Sequence, residues 1–160
     1  MASRGFEFAY DLSGGGNHPM VFDFTVGEGT AYVKGDLVCL QTDGYVDKLT
    51  TSIGEITGVV AEALTSAEAT ASSTNIKVAI ATPTQVWKCS MDASTATTAI
   101  VGYTKTLDTN DANTIDAADI TNGSLILLKK DETDDEGNIL AYVTFASTTF
   151  GRSPVDTDTT

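Results

Sequence analysis

Apolar and polar residues alternate along this chain in short runs, and glycine or a polar cluster interrupts each run before it reaches helix length. Period-two alternation puts successive side chains on opposite faces of an extended backbone, so each run predicts a strand with one face toward a core. Phe6, Phe8, Tyr10 and Leu12 form the first such set, and Val21-Phe22-Asp23-Phe24-Thr25-Val26 forms the second. Between Val33 and Cys89 four segments follow in close order: Val33 to Leu40, Gly58 to Ala61, Ile76 to Ile80 and Gln85 to Cys89. Each is expected to be one strand of a small closed sheet. Ser124 to Lys129 and Ile139 to Phe145 predict the strongest hairpin in the chain. The expected fold is therefore all-β, a small barrel-like or sandwich core of short antiparallel strands with an extended N-terminal arm.

Turn chemistry supports that division. Thr42-Asp43-Gly44 is expected to close a hairpin between Leu37–Gln41 and Tyr45–Leu49, because Asp-Gly supplies the positive φ of a tight turn. Gly58 at a strand start predicts a bulge or the close approach of a neighbouring strand. Glu62 through Ala71 has the composition of two helical turns, but its Thr and Ser content suits a surface loop equally well. Trp87 shares a strand face with Cys89 and Met91, so it is expected to plug a barrel end or pack beneath a loop.

The ends differ from the middle. Residues 1–20 read as an arm and a glycine-rich hinge, residues 21–150 as a barrel-like core domain, and residues 151–160 as a loose acidic tail. Gly14-Gly15-Gly16 behind an aromatic strand is the composition of a segment that pairs with another subunit. The same strand also suits the first position in its own barrel, joined by a long loop. Both arrangements remain open at this point.

Charge narrows the range of partners. With 22 acidic against 9 basic residues the chain carries −13, and apart from Lys129-Lys130 no two bases are adjacent. Such a field repels phosphate backbones, so neither nucleic acid nor an anionic membrane is an expected partner. No apolar stretch approaches the ~20 residues of a bilayer-spanning helix. Met1 to Gly5 leads into Phe6 without the apolar segment of a secretory leader, and the chain is expected to fold in a cytoplasm. Cys39 and Cys89 each sit in an apolar run and read as small buried hydrophobes.

Candidates for chemistry are few. His18 is the only histidine, which removes Ser-His-Asp, Cys-His and histidine-based zinc arrangements. Gly14-Gly15-Gly16 lacks the lysine and the strand-to-helix setting of a phosphate loop. The loop Asp131 to Asn138 is densely acidic, yet its spacing fails the EF-hand pattern because Gly137 falls one place late. Asp108, Asp111 and Asp116 form a weaker acidic set. No cofactor and no catalytic residue is expected, and the chain does not read as an enzyme.

In order, Lys34-Gly35-Asp36-Leu37-Val38, Gly58-Val59-Val60-Ala61, Ile76-Lys77-Val78, Pro83 to Lys88, Val101-Gly102-Tyr103 and Asn122 to Leu125 resemble the β-barrel decoration (cement) proteins of tailed-bacteriophage capsids. The likeness spans about Val21 to Phe150. It implies a structural virion protein on the capsid exterior that binds the major capsid protein and stabilises the shell by bridging capsomers. It also implies a symmetric homo-oligomer, with a trimer favoured by the local threefold positions such proteins occupy. An N-terminal arm in such proteins often adds a strand to a capsid-protein sheet, and Phe6, Phe8, Tyr10 and Leu12 match that arm by position and character. The alternative is a carbohydrate-binding or adhesion β-module, with Trp87, Tyr45, Tyr103 or Tyr142 as a sugar platform.

Overall fold

The computed structural model describes residues 5–14, 18–49, 55–92, 104–107, 114–116, 125–146 and 148–150. These residues form eleven strands: β1 (Glu7–Asp11), β2 (Val21–Thr25), β3 (Leu37–Leu40), β4 (Val46–Lys48), β5 (Gly58–Val60), β6 (Asn75–Ile80), β7 (Gln85–Met91), β8 (Thr104–Leu107), β9 (Thr114–Asp116), β10 (Leu125–Thr133) and β11 (Ile139–Phe145). No helix occurs among them. Gly15 and Gly16 of the expected hinge, residues 94–103, the acidic positions Asp108 and Asp111, residues 122–124 and the tail from Gly151 lie outside the described residues.

The strands divide into two sheets, ordered β1-β7-β11-β10-β8-β9 and β2-β6-β5-β3-β4. In the first sheet β9 also pairs with β7, in parallel at Ser90 and Met91, so the ladder curls back on itself. Because β11 occupies one edge of β7 from Trp87 to Met91, the other edge is shared, with β1 along Gln85–Lys88 and β9 beyond it. The second sheet curls too. A bridge from Val26 to Val46 and a hydrogen bond from the Gly27 amide to the Val46 carbonyl (2.9 Å) bring the end of β2 to β4.

Two apolar cores follow from the alternation. Val38, Val60, Ile76 and Val78 point into the curl of the second sheet, where they meet Val26, Tyr32 and Val46. Their neighbours Leu37, Val59 and Ala79 point the other way, into a larger core with Trp87, Cys89, Met91, Leu125, Leu127, Val143 and Phe145. The middle of the second sheet is thus covered on both faces. That is why Leu37-Val38 and Val59-Val60 read as continuous apolar pairs. The four segments between Val33 and Cys89 accordingly do not share one sheet: β3, β5 and β6 belong to the second, and β7 belongs to the first.

The turn expectations can be followed atom by atom. Gly44 has φ +89°, its amide donates to the Gln41 carbonyl (3.0 Å), and the Gln41 amide donates to the Tyr45 carbonyl (2.7 Å), closing the β3–β4 hairpin. A Cβ on Gly58 would collide with the Ala79 carbonyl oxygen, so this glycine permits the close approach of β6. Residues 62–74 form turns instead of a helix. The Thr65 amide and hydroxyl donate to Glu68 Oε2 (2.9 and 2.7 Å), and the Ala69 amide donates to the Thr65 carbonyl, giving one helical turn. The turn does not propagate: the Thr70 amide bonds the Thr74 hydroxyl (2.9 Å), and Ser72 turns left-handed at φ 62°.

Candidate interaction surface

The Lys34-Gly35-Asp36 bend is where separate segments are tied together. Asp36 is buried, and its Oδ2 accepts from the Val33 amide (2.8 Å) to hold the turn. The Gly35 amide donates to the Val60 carbonyl (2.9 Å), the Val60 amide to the Asp36 carbonyl (2.9 Å), and the Phe6 amide to the Gly35 carbonyl (3.0 Å). Gly5 and Gly35 pass so closely that a Cβ on Gly35 would lie 2.7 Å from the Gly5 Cα. The bend therefore fastens the N-terminal segment to the second sheet.

Beyond that fastening, β1 lies on its own body, antiparallel to β7, with a register shift between Phe8 and Tyr10. This is the pairing that a first strand of the same barrel would make. Phe6 is buried edge-on to Phe145 (ring centroids 5.9 Å), and Phe8 packs edge-on against Trp87 (5.6 Å). The four sequence-predicted arm residues thus divide. Phe6 and Phe8 serve the core, whereas Tyr10 and Leu12 remain 50% and 60% exposed.

Trp87 is 2% exposed, stacks on Phe145 (5.6 Å) and donates its Nε1 hydrogen to Gln85 Oε1 (3.3 Å). Enclosed in this way, it offers no face to a sugar ring. Tyr142 is half-buried with Lys129 Nζ 5.4 Å from its ring centre, and Tyr103 lies outside the described residues. Cys89 is buried and Cys39 half-buried, neither in a disulfide, and burial followed by the nearby Asp47 charge pushes the Cys39 thiol pKa up. His18 is exposed.

The acidic hairpin tip is organised by one of its own carboxylates. Strand β10 runs on to Thr133, so the loop begins at Asp134. Asp134 Oδ1 accepts from the amides of Glu136 (3.0 Å) and Asn138 (2.8 Å), and Oδ2 from Asn138 Nδ2 (3.0 Å). Asp134 is thereby committed to shaping the turn around Gly137 (φ 85°). Among the described residues no three His, Cys, Asp or Glu side chains gather closely enough to hold a metal ion.

Asp47 on β4 is the one buried polar anomaly among the described residues, since its Oδ1 lacks a hydrogen-bond partner. Burial, then repulsion from Asp43, raises its pKa, and Asp47 in turn helps burial push the Tyr32 phenol up to about 12. A carboxyl whose folded pKa lies above its unfolded value destabilises the fold when ionised, and the penalty disappears as pH falls through the folded pKa. Asp47→Asn is accordingly expected to raise the melting temperature at pH 7. The gap between variant and wild type should close in scans taken down to pH 3, and a gap that widens on acidification would refute the assignment.

The surface that period-two reasoning missed lies on β2. Met20 is 68% exposed and Phe22 49%, and with the exposed Phe150 they form an apolar strip, while Val21, also exposed, points from the opposite face of the strand. Phe22, Phe24, Ile80 and Phe150 line a shallow depression of about 490 Å³ there. Phe150 is carried to it by the segment 148–150, where the Thr149 amide donates to the Ile56 carbonyl (3.0 Å) and the Thr149 hydroxyl meets that of Thr57 (2.8 Å). Met20-Val21-Phe22 carried the signal: three adjacent apolar residues on one strand must place apolar groups on both faces.

The β6–β7 connection separates this strip from the outer part of β1. The Ile80 amide donates to the Met20 carbonyl (2.8 Å) on one side, and the Leu12 amide to the Thr84 carbonyl (2.8 Å) on the other. Tyr10, Val21 and Phe22 are thus presented on extended strands, whereas Leu12 and Phe150 sit at a turn and a bend. Comparison with protein-family models, with curated proteins and with solved structures gives no match for this chain.

Proposed function

We propose that this chain is a structural virion subunit that binds the outer surface of a tailed-phage capsid and stabilises the shell by bridging capsomers, acting as a homo-oligomer with a trimer favoured. The observation that carries the reading is the exposed apolar strip of Met20, Phe22 and Phe150, held on a β body by backbone hydrogen bonds. Contiguous apolar surface rimmed by polar residues marks a site of macromolecular contact. The sequence resemblance supplies the partner, the major capsid protein. Modest contacts repeated over a symmetric shell add up through avidity.

The test is cosedimentation of the purified chain with expanded tailed-phage heads. Saturable binding is expected, and heads that remain bare at micromolar subunit concentration would overturn the reading. The role of the N-terminal strand can be separated from its role in folding. Deleting residues 1–19 would strip Phe6 and Phe8 from the core, whereas Tyr10→Ser with Leu12→Ser touches only the exposed pair. That double variant is expected to keep its melting temperature and to lose at least fivefold in head binding. Undiminished binding would remove the strand from the contact.

A further inference from the structure

The register of β2 on β6 decides which of its backbone groups are occupied. The Ile80 amide donates to the Met20 carbonyl (2.8 Å) and the Val26 amide to the Thr74 carbonyl (2.9 Å), in a register that sets Phe22 opposite Val78 and Phe24 opposite Ile76. In an antiparallel pair only alternate residues exchange hydrogen bonds. Positions 20, 22, 24 and 26 therefore face β6, and the N–H and C=O groups of Val21, Asp23 and Thr25 point away from it. Among the described residues no strand pairs with that outer edge at Val21 and Asp23, whereas from Thr25 onward the Val26–Val46 bridge lays β4 alongside it.

The two sides of this edge differ in character. On one lies the apolar depression of about 490 Å³ lined by Phe22, Phe24, Ile80 and Phe150. On the other a polar depression of about 310 Å³ holds Asp23, Glu62, Glu68 and Lys77; the Lys77 ammonium pairs with Asp23 (3.2 Å) and Glu68 accepts from Thr65, so the acids outnumber the one base that lines it. Asp23 is a wall of both. A strand added here would alternate its side chains between an apolar seat and an anionic one.

We propose that the outer edge of β2 accepts an extended segment of a partner protein in which apolar side chains alternate with Lys or Arg. The inference rests on the reading of this chain as a contact protein and names the chemistry of the contact. Charge selects the occupant. A second copy brought to the same edge would carry another −13 and, in a symmetric antiparallel pair centred on Asp23, would set Asp23 against Asp23. A basic segment gains from the same field.

The full-length chain is titrated into a fluorescein-labelled peptide, Lys-Val-Lys-Phe-Lys-Val-Lys, and into its counterpart with glutamate in place of lysine. Saturable binding of the lysine peptide is expected, at least tenfold tighter than the glutamate peptide and weakened by salt. Val21→Pro removes an outward-pointing amide without touching the β6 ladder, so it should keep the fold and weaken binding at least tenfold. Amide hydrogen exchange on the wild type reads the same edge without a variant: Val21 and Asp23 should exchange fast in the free chain and slow in the complex.

Unchanged binding by Val21→Pro, no binding of the lysine peptide at millimolar concentration, or slow exchange at Val21 and Asp23 in the free chain would each overturn the proposal. So would a doubled mass in light scattering that Val21→Pro reverses, because the occupant would then be a second copy. Heads that bind wild type and Val21→Pro equally would overturn the edge and leave shell decoration standing. Peptide binding alongside bare heads would do the reverse.

Discussion

Gly35→Ala is expected to lower stability by about 3 kcal/mol and to loosen the N-terminal strand from the body. Two costs combine at this position. Gly35 has φ +98°, where an L side chain costs roughly 1–2 kcal/mol, and the new Cβ would lie 2.7 Å from the Gly5 Cα and 2.9 Å from its carbonyl carbon. Neither neighbour is a flexible side-chain tip, so the clash adds about 1–3 kcal/mol of overpacking. Gly44→Ala is the internal control: it shares the left-handed φ (+89°) but meets open space, and should lose only the backbone share. Urea unfolding gives both values. Because Phe8 covers Trp87 from β1, loosening should also shift tryptophan emission to the red before global unfolding. Equal losses for the two variants would mean that the Gly5–Gly35 crossing does not hold the strand.

Trp87→Ala carries the other large effect, a loss of about 3–5 kcal/mol. The indole lies between Phe8 and Phe145 in the core shared by both sheets, and its removal leaves those rings and Gln85 Oε1 without their partner. Phe22→Ala provides the contrast. A half-exposed ring on an outer strand should cost less than about 1 kcal/mol, because much of its surface is already in water. Chemical denaturation of the two variants therefore separates an aromatic that the core depends on from one that the fold can spare. A Trp87→Ala loss no larger than that of Phe22→Ala would contradict the core assignment.

Much of the fold was legible because strands, tight turns and close approaches each leave a local mark. The alternation in Ile76–Ile80, the Asp43-Gly44 turn and the glycine before Val59 all predicted features that the structure has there. Partition into two sheets was not legible. Leu37-Val38 and Val59-Val60 show that both faces are covered, but which pairs with which is fixed by contacts between positions distant in sequence. The Lys34-Gly35-Asp36 run was readable as a bend, while its role as the anchor of Phe6 depends on a residue about thirty positions earlier. The candidate surface was half visible. Phe6, Phe8, Tyr10 and Leu12 alternate as one apolar set, but the larger core takes only the two rings that reach Trp87 and Phe145. The β2 strip went unseen because alternation predicts a buried face without saying where the partner sheet ends, and Met20 and Phe22 lie beyond that end.

Electron cryomicroscopy of expanded heads mixed with this chain tests the central claim most directly. The account predicts added density on the outer surface, repeated at equivalent positions between capsomers and sized for a homo-oligomer of this β body. Heads that stay bare at saturating concentration, or density confined to the interior, would contradict it.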